Sequence, residues 1–309
     1  MHPEDAAPWG YPVRFVDMRL PPHLLPALVT PFTRSGALDL DAHRHNLREL
    51  TARGISGFLI GGSTGEGPYL DHGERGALVA AARQELGSHP FLLAGIAAES
   101  LRAALVQAEE AAAAGADAVL VLTPTTLVRG NHPAVVGFFK DVADASPVPV
   151  FVYSVPAVTG YTLPIESAVE LSRHANIAGM KDSGGDPLAM ARLVEDTAGD
   201  LLLMTGSSRA MTLCITVGAH GAITASSNYL PELAGAVVAA ARRSPRSAAR
   251  LQSQLSRLST AVEARRVPGV KAAAELTGLR PGYPRQPLRP LPAKERKKIE
   301  TVLREAGVL

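Results

Sequence analysis

Cysteine is all but missing from this chain: of 309 residues only Cys214 is one. A disulfide framework is therefore excluded, and the chain suits a reducing compartment. Long apolar runs are missing too. No stretch reaches the roughly 18 to 20 residues that a bilayer crossing needs, and the opening MHPEDAAPWGYPVRF has neither a hydrophobic core nor a cleavage-like site, so a cytoplasmic location is expected. Charge of one sign is not in excess, since 31 basic side chains face 29 acidic ones for a net charge of +2. The one dense basic run, KERKK at 294–298, falls in a stretch of helical period and reads as a solvated helix face, which leaves neither nucleic acid nor membrane as an expected partner. Metal-binding spacings do not occur: there is no HExxH and no paired Cys/His motif, while His43 and His45, two apart in a helical pattern, point away from each other. No metal and no cofactor are expected. Lysine is scarce, at six against 25 arginines, so each lysine can be considered individually.

What is present is an alternation. From Leu24 onward, short apolar runs (LLPALVT, GFLIG, FLLAG, AVLVL, VPVFVYS, IAGMK, LLLMTG and GAITA) alternate with longer segments of helical period such as LDAHRHNLRELTARG and PLAMARLVEDTAG. Successive strand–helix units of this kind build a parallel sheet. Eight strands, with no dinucleotide-type glycine fingerprint after the first, predict a closed (β/α)8 TIM barrel rather than an open doubly wound sheet. The length accommodates a barrel of roughly 250 residues with helical additions. The expected division is an N-terminal arm over 1–22, which carries five prolines and no periodicity, the barrel over 23–230, and a C-terminal helical region over 231–309 that includes the last barrel helix.

Five lysines, at 140, 271, 294, 297 and 298, look solvated or lie on helices. Lys181 differs, because it closes the apolar strand IAGMK and so lies at the C-terminal mouth of the barrel, where such folds carry their catalytic groups. Partial desolvation there leaves more neutral amine at pH 7, and a neutral amine can condense with a ketone to an imine, an electron sink for carbanion chemistry next to the carbonyl. The structural alternative is a lysine salt-bridged to Asp182 or to a nearby loop acid. Tyr153 ends the preceding strand, 28 residues earlier, and should emerge at the same rim about 4.8 Å away. A phenol there can pass protons. On its own such a tyrosine reads as packing; beside Lys181 it reads as chemistry. The third feature is GGSTGEGPY after the second strand, a glycine-rich turn whose backbone N–H groups, with the hydroxyls of Ser63 and Thr64, can cradle a carboxylate without a cation.

With GGSTGE at 61–66, YSVPAVTG at 153–160, GMKDSGGD at 179–186 and GAITA at 221–225 in this order, the chain resembles the dihydrodipicolinate synthase and N-acetylneuraminate lyase family of class I aldolases over nearly its whole length from Leu24. The resemblance implies a Schiff base on Lys181, proton transfer by Tyr153, and a pyruvyl carboxylate held by Ser63 and Thr64. Gly206 and Ile223 would line the pocket, with the Ile223 carbonyl directed into it. It also implies pyruvate and an aldehyde as small-molecule partners and a homo-oligomer, a tetramer or a dimer.

Two departures bear on the substrate. Members that use aspartate semialdehyde carry an arginine where this chain has Val158, and an alkyl group cannot form the bidentate carboxylate pair. The loop after the fourth strand, TPTTLVRG, has Thr125 and Thr126 where relatives supply a tyrosine to a neighbouring subunit; Tyr161 is a conceivable substitute. YSVPAVTG with GMKDSGGD is closer to 4-hydroxy-2-oxoglutarate aldolases, in which small hydroxyl side chains help to bind the distal carboxylate, and Ser183 stands where one is expected. The expected reaction is therefore cleavage of 4-hydroxy-2-oxoglutarate to pyruvate and glyoxylate. The alternatives are an aldolase, dehydratase or condensing enzyme for another 2-oxo acid, dihydrodipicolinate synthase itself, and a non-catalytic 2-oxo-acid binding homologue.

Overall fold

The computed structural model describes residues 19–309, so the expected arm over 1–22 lies outside the described residues except for its last four. Those four close the floor of the molecule: the Arg19 guanidinium donates to Ser88 O at 2.5 Å and His220 Nε2 meets Pro21 O at 2.9 Å.

Eight strands follow, β1 (Leu24–Pro26), β2 (Gly57–Ile60), β3 (Phe91–Ile96), β4 (Ala118–Leu122), β5 (Val150–Ser154), β6 (Ile177–Asp182), β7 (Leu202–Thr205) and β8 (Gly221–Thr224). Each pairs in parallel with its neighbours, and β1 lies against β8. The ring is completed where Ala27 bridges Leu59, with the Leu28 N–H donating to Leu59 O at 2.9 Å. The protein is thus a TIM barrel of eight parallel strands. The first strand is shorter than the seven-residue run LLPALVT suggests. Pro26 has no N–H to contribute to a ladder, and beyond it the chain changes partner at each step: Ala27 N donates to Thr224 O, Leu28 N to Leu59 O, and Val29 N to the Asn228 side chain.

The helices between strands are α1 (Leu40–Ala52), α2 (Glu74–Leu86), α3 (Leu101–Ala113), α4 (His132–Ala145), the one-turn α5 (Pro156–Thr159), α6 (Ile165–Ser172), α7 (Pro187–Thr197) and α8 (Met211–Thr216). Several begin at a side chain that accepts from an otherwise orphaned backbone N–H, as Asp39, Ser100, Asn131 and Asp186 do. After β8 come α9 (Pro231–Arg243), α10 (Pro245–Glu263), α11 (Arg266–Leu276) and α12 (Ala293–Glu305). Within the expected C-terminal helical region, the alanine-rich stretch from Glu232 to about Arg265 is two helices, because Pro245 cannot continue α9 and instead opens α10 at its first position. Among the described residues no helix is long and apolar enough to cross a membrane.

Two layers of apolar packing follow from strand alternation. Residues facing outward, such as Val119, Val121, Val152 and Met180, pack under the helices. Residues facing inward, among them Leu59, Leu93, Leu120, Phe151, Met204 and Ile223, fill the barrel. Phe151 on β5 lies opposite Gly179 on β6, and a Cβ at 179 would fall 2.3 Å from the Phe151 ring. Glycine there leaves that level to the phenylalanine. The next inward level on the same two strands is Tyr153 opposite Lys181.

Candidate active site

Lys181 and Tyr153 are direct partners in the β5–β6 register. Their side chains are 4 % and 5 % exposed, and the Lys181 ammonium lies 4.4 Å from the centre of the Tyr153 ring. Tyr153 is also within hydrogen-bonding reach of Ser63, Ser183 and Lys181. Burial pushes its phenol up, but the Lys181 charge and those three hydrogen bonds together outweigh burial and leave it below the ordinary tyrosine value. The suggested ion pair of Lys181 with Asp182 does not form. Consecutive strand residues point to opposite faces, and the Asp182 carboxylate instead accepts the Gly184 N–H at 3.1 Å. Burial, more than any neighbour, raises the Asp182 pKa. Among the described residues no acid is ion-paired with Lys181.

The GGSTGE turn covers this pair from β2. Gly67 N donates to Gly62 O at 3.0 Å and Glu66 N to Ser63 O at 3.2 Å, while Gly65 O accepts from the Thr30 hydroxyl at 2.6 Å. Among the described residues the N–H groups of Ser63 and Thr64 have no acceptor, the condition a bound carboxylate needs. Ser63 reaches Tyr153; Thr64, half-buried on the same turn, does not. Gly206 follows β7 and abuts the site directly: a Cβ there would fall 1.9 Å from Ser183 Oγ and 3.0 Å from Lys181 Cε. Ile223 is buried in the barrel interior opposite Leu25 on β1, and the β7–β8 ladder ends one step before it, at Thr205 opposite Ala222. The structure therefore brings Lys181, Tyr153, Ser63, Ser183 and Gly206 into one cluster, with Thr64 and Ile223 at its margin.

This ammonium–phenol pair lies in a chain that matches the dihydrodipicolinate synthetase family over residues 21–306. A 4-hydroxy-tetrahydrodipicolinate synthase of Methanosarcina mazei is 32% identical over 289 residues, 92% of this chain and 98% of that protein. The 4-hydroxy-tetrahydrodipicolinate synthase 1 of Streptomyces coelicolor is 34% identical over 308 residues, 99% of this chain and 96% of that protein. Among solved structures, a dihydrodipicolinate synthase from Acinetobacter baumannii in complex with pyruvate superposes with a TM-score of 0.89, at 26% identity, over 94% of this chain and all of that one. The chain belongs to the dihydrodipicolinate synthetase family. As a member of that family it is an enzyme of the carbon–carbon lyase type.

Against the family pattern expected from sequence, the rim shows how this member departs. Val158 is 57 % exposed on α5, the short helix after β5, and offers no polar group. In the β4–α4 loop of this family member, Thr125 is buried and Thr126 exposed. Their N–H groups both donate to Glu99 Oε2, at 3.0 and 2.9 Å, so a carboxylate from the β3–α3 loop holds this connection. Tyr161 cannot take the place of a relay tyrosine: it packs into the strand–helix core and its hydroxyl meets His132 Nδ1 at 2.7 Å. The Arg129 guanidinium lies over Gly160, 3.5 Å from where a Cβ would stand, beside the Val158 helix.

One sequence expectation is corrected by burial. Lys271, expected to be solvated or merely helical, is 3 % exposed and paired with the equally buried Glu66. Its signal was available: on α11 it falls in VPGVKAAA, an otherwise apolar stretch like that preceding Lys181. His43, considered in the sequence only as a metal ligand beside His45, is enclosed between α1 and α2 with Nε2 3.1 Å from Leu78 O, and burial pulls its pKa down to about 4. Glu99 and Arg129 carried no signal in sequence, because their roles arise from loops that only barrel closure makes neighbours.

Proposed function

We propose that this protein is a Schiff-base aldolase in which Lys181 binds a 2-oxo acid, with pyruvate as the common donor or product, and that its reaction is the cleavage of 4-hydroxy-2-oxoglutarate to pyruvate and glyoxylate. The observation that carries the reading is the Lys181 ammonium against the Tyr153 ring on adjacent strands, with the Ser63 and Ser183 side chains at the phenol. The neutral amine attacks C2 of the substrate, and the carbinolamine takes the Tyr153 proton and loses water, leaving a protonated imine and a Tyr153 phenolate. The C4 hydroxyl then gives its proton to Tyr153, the C3–C4 bond breaks, and its electron pair moves toward the imine nitrogen. Glyoxylate leaves. The enamine takes a proton at C3, and water hydrolyses the imine to free pyruvate and the lysine. Ser63 and Thr64, whose N–H groups have no acceptor among the described residues, take the C1 carboxylate; Ser183 serves the distal one. Gly206 leaves room for the imine against Lys181 Cε, and Ile223 supplies its carbonyl to the pocket wall. A homo-oligomer, tetramer or dimer, and a cytoplasmic location belong to the same reading.

A second reading, 4-hydroxy-tetrahydrodipicolinate synthase, draws on the curated relatives at 32% and 34% identity. Val158 weighs against it, since an exposed alkyl group offers nothing to a second carboxylate. Incubation with pyruvate and borohydride followed by intact-protein mass spectrometry and peptide mapping tests the common core: a reduced pyruvyl adduct on Lys181 is expected. Lys181→Ala should abolish turnover, and Tyr153→Phe should slow it by about 10² to 10⁴. A folded protein that forms no adduct would overturn the mechanism and favour a binding protein without turnover. Cleavage of 4-hydroxy-2-oxoglutarate, set against condensation of pyruvate with aspartate semialdehyde, separates the two readings.

A further inference from the structure

Lys271 lies outside the site described above, on α11, yet three separate stretches of chain converge on its ammonium. It donates to Thr30 O at 2.8 Å, from the segment after β1, and to Tyr283 O at 2.7 Å, from the segment after α11. Its third partner is the Glu66 carboxylate at 2.6 Å, from the GGSTGE turn. The ammonium also faces the Phe32 ring at 5.1 Å. The other Glu66 carboxylate oxygen accepts the Arg285 N–H at 2.8 Å. Both charged side chains are buried, to 3 % exposure for Lys271 and 2 % for Glu66. Burial lowers the Lys271 pKa to about 8 against the opposing pull of Glu66.

Glu66 is at the same time held in a left-handed conformation, φ 57°, a region that non-glycine residues avoid at a cost of about 1–2 kcal/mol. Stability alone does not account for this arrangement. Desolvating two charges consumes most of what their attraction returns, and buried pairs of this kind are commonly replaceable by apolar residues without loss. What the pair does supply is position. Glu66 N is hydrogen-bonded to Ser63 O, Ser63 reaches the Tyr153 phenol, and among the described residues the Ser63 and Thr64 N–H groups have no acceptor.

We infer that the Lys271–Glu66 pair is a positioning device that holds the Ser63–Thr64 turn in the shape that accepts the carboxylate of the 2-oxo acid. The inference rests on the Schiff-base reading above. Lys271 and Glu66 touch no substrate; they act through the turn. The C-terminal helices, remote from the barrel mouth in sequence, thereby set the affinity of the mouth for its anion.

The test compares two ketones in borohydride trapping on Lys181: pyruvate, which has the carboxylate, and methyl pyruvate, in which it is an uncharged ester. Two variants are used, the charge-free pair Glu66→Gln/Lys271→Met, which leaves no unpaired buried charge, and Glu66→Asp, which keeps the charge and shortens the tether by one methylene. Circular dichroism and thermal melting establish that each is folded. The pyruvate concentration for half-maximal trapping should rise about ten- to a hundredfold in the charge-free pair and several-fold in Glu66→Asp, while that for methyl pyruvate should change by less than about twofold. Equal shifts for both ketones would mean a general structural role and overturn the inference, as would no shift for either. Failure of the wild-type protein to trap pyruvate at all would instead refute the Schiff-base reading on which the inference stands.

Discussion

Gly206→Ala is the smallest change that should disable the site. The backbone at 206 lies outside the left-handed region, so alanine carries no conformational penalty and the effect is steric. The added methyl would fall 1.9 Å from Ser183 Oγ, 2.9 Å from Ser183 Cβ and 3.0 Å from Lys181 Cε. The hydroxyl can rotate away; the other two carbons must retreat by about 0.5–1 Å to reach ordinary contact at 3.5–4.0 Å. Lys181 and Ser183 both reach Tyr153, so the displacement disturbs the amine, the phenol and the hydroxyl together. Overpacking of this size costs about 1–3 kcal/mol, a few degrees in Tm. Misplacing a reacting group by up to an ångström costs about 10²-fold in rate. The expected result is therefore a protein that melts slightly early and traps pyruvate on Lys181 about a hundred times more slowly. Gly137→Ala is the control: it lies in α4 with open space around its Cβ position and should melt slightly later, by the helix preference for alanine of about 1 kcal/mol. Trapping by Gly206→Ala at the wild-type rate would refute the packing of Gly206 against the lysine.

Ser183→Ala removes one of the hydrogen bonds that hold the Tyr153 pKa down, so the basic limb of the pH–rate profile should move to higher pH and kcat fall by about tenfold; an unmoved limb would take Ser183 away from the phenol. His43 and His220 are both pulled to about 4, chiefly by burial. The unfolded chain then binds more protons than the folded one between about pH 6.5 and 4, and stability declines as pH falls through that window, by at most about 1.4 kcal/mol per pH unit for each histidine. Urea unfolding of His43→Gln should show a shallower decline than wild type, and parallel slopes would contradict the burial argument. Val158→Arg, at an exposed rim position, should leave stability within about 0.5 kcal/mol and raise kcat/KM for aspartate semialdehyde relative to glyoxylate by about tenfold. An unchanged ratio would remove residue 158 from aldehyde selection.

Much of the barrel could be read directly. Eight apolar runs separated by helical periods leave one economical architecture, and strand alternation alone places Tyr153 and Lys181 on the inner face of neighbouring strands, where the register has them as partners. The glycine-rich turn and its hydroxyls were legible as well, because a turn's composition is a local property. Burial was not. Lys271 and His43 sit on helices whose apolar faces are clear, but whether a polar group on such a face meets solvent or another element depends on what packs opposite, here the Glu66 turn and α2. The same holds for Glu99 at Thr125 and Thr126, for Tyr161 turned toward His132, and for Gly206 against Ser183. Periodicity within each segment determined the strands, the helices and the facing of the two central side chains. Contacts between segments far apart in sequence, which exist only once the ring has closed, decided which charges are buried and what holds the Ser63–Thr64 turn in place.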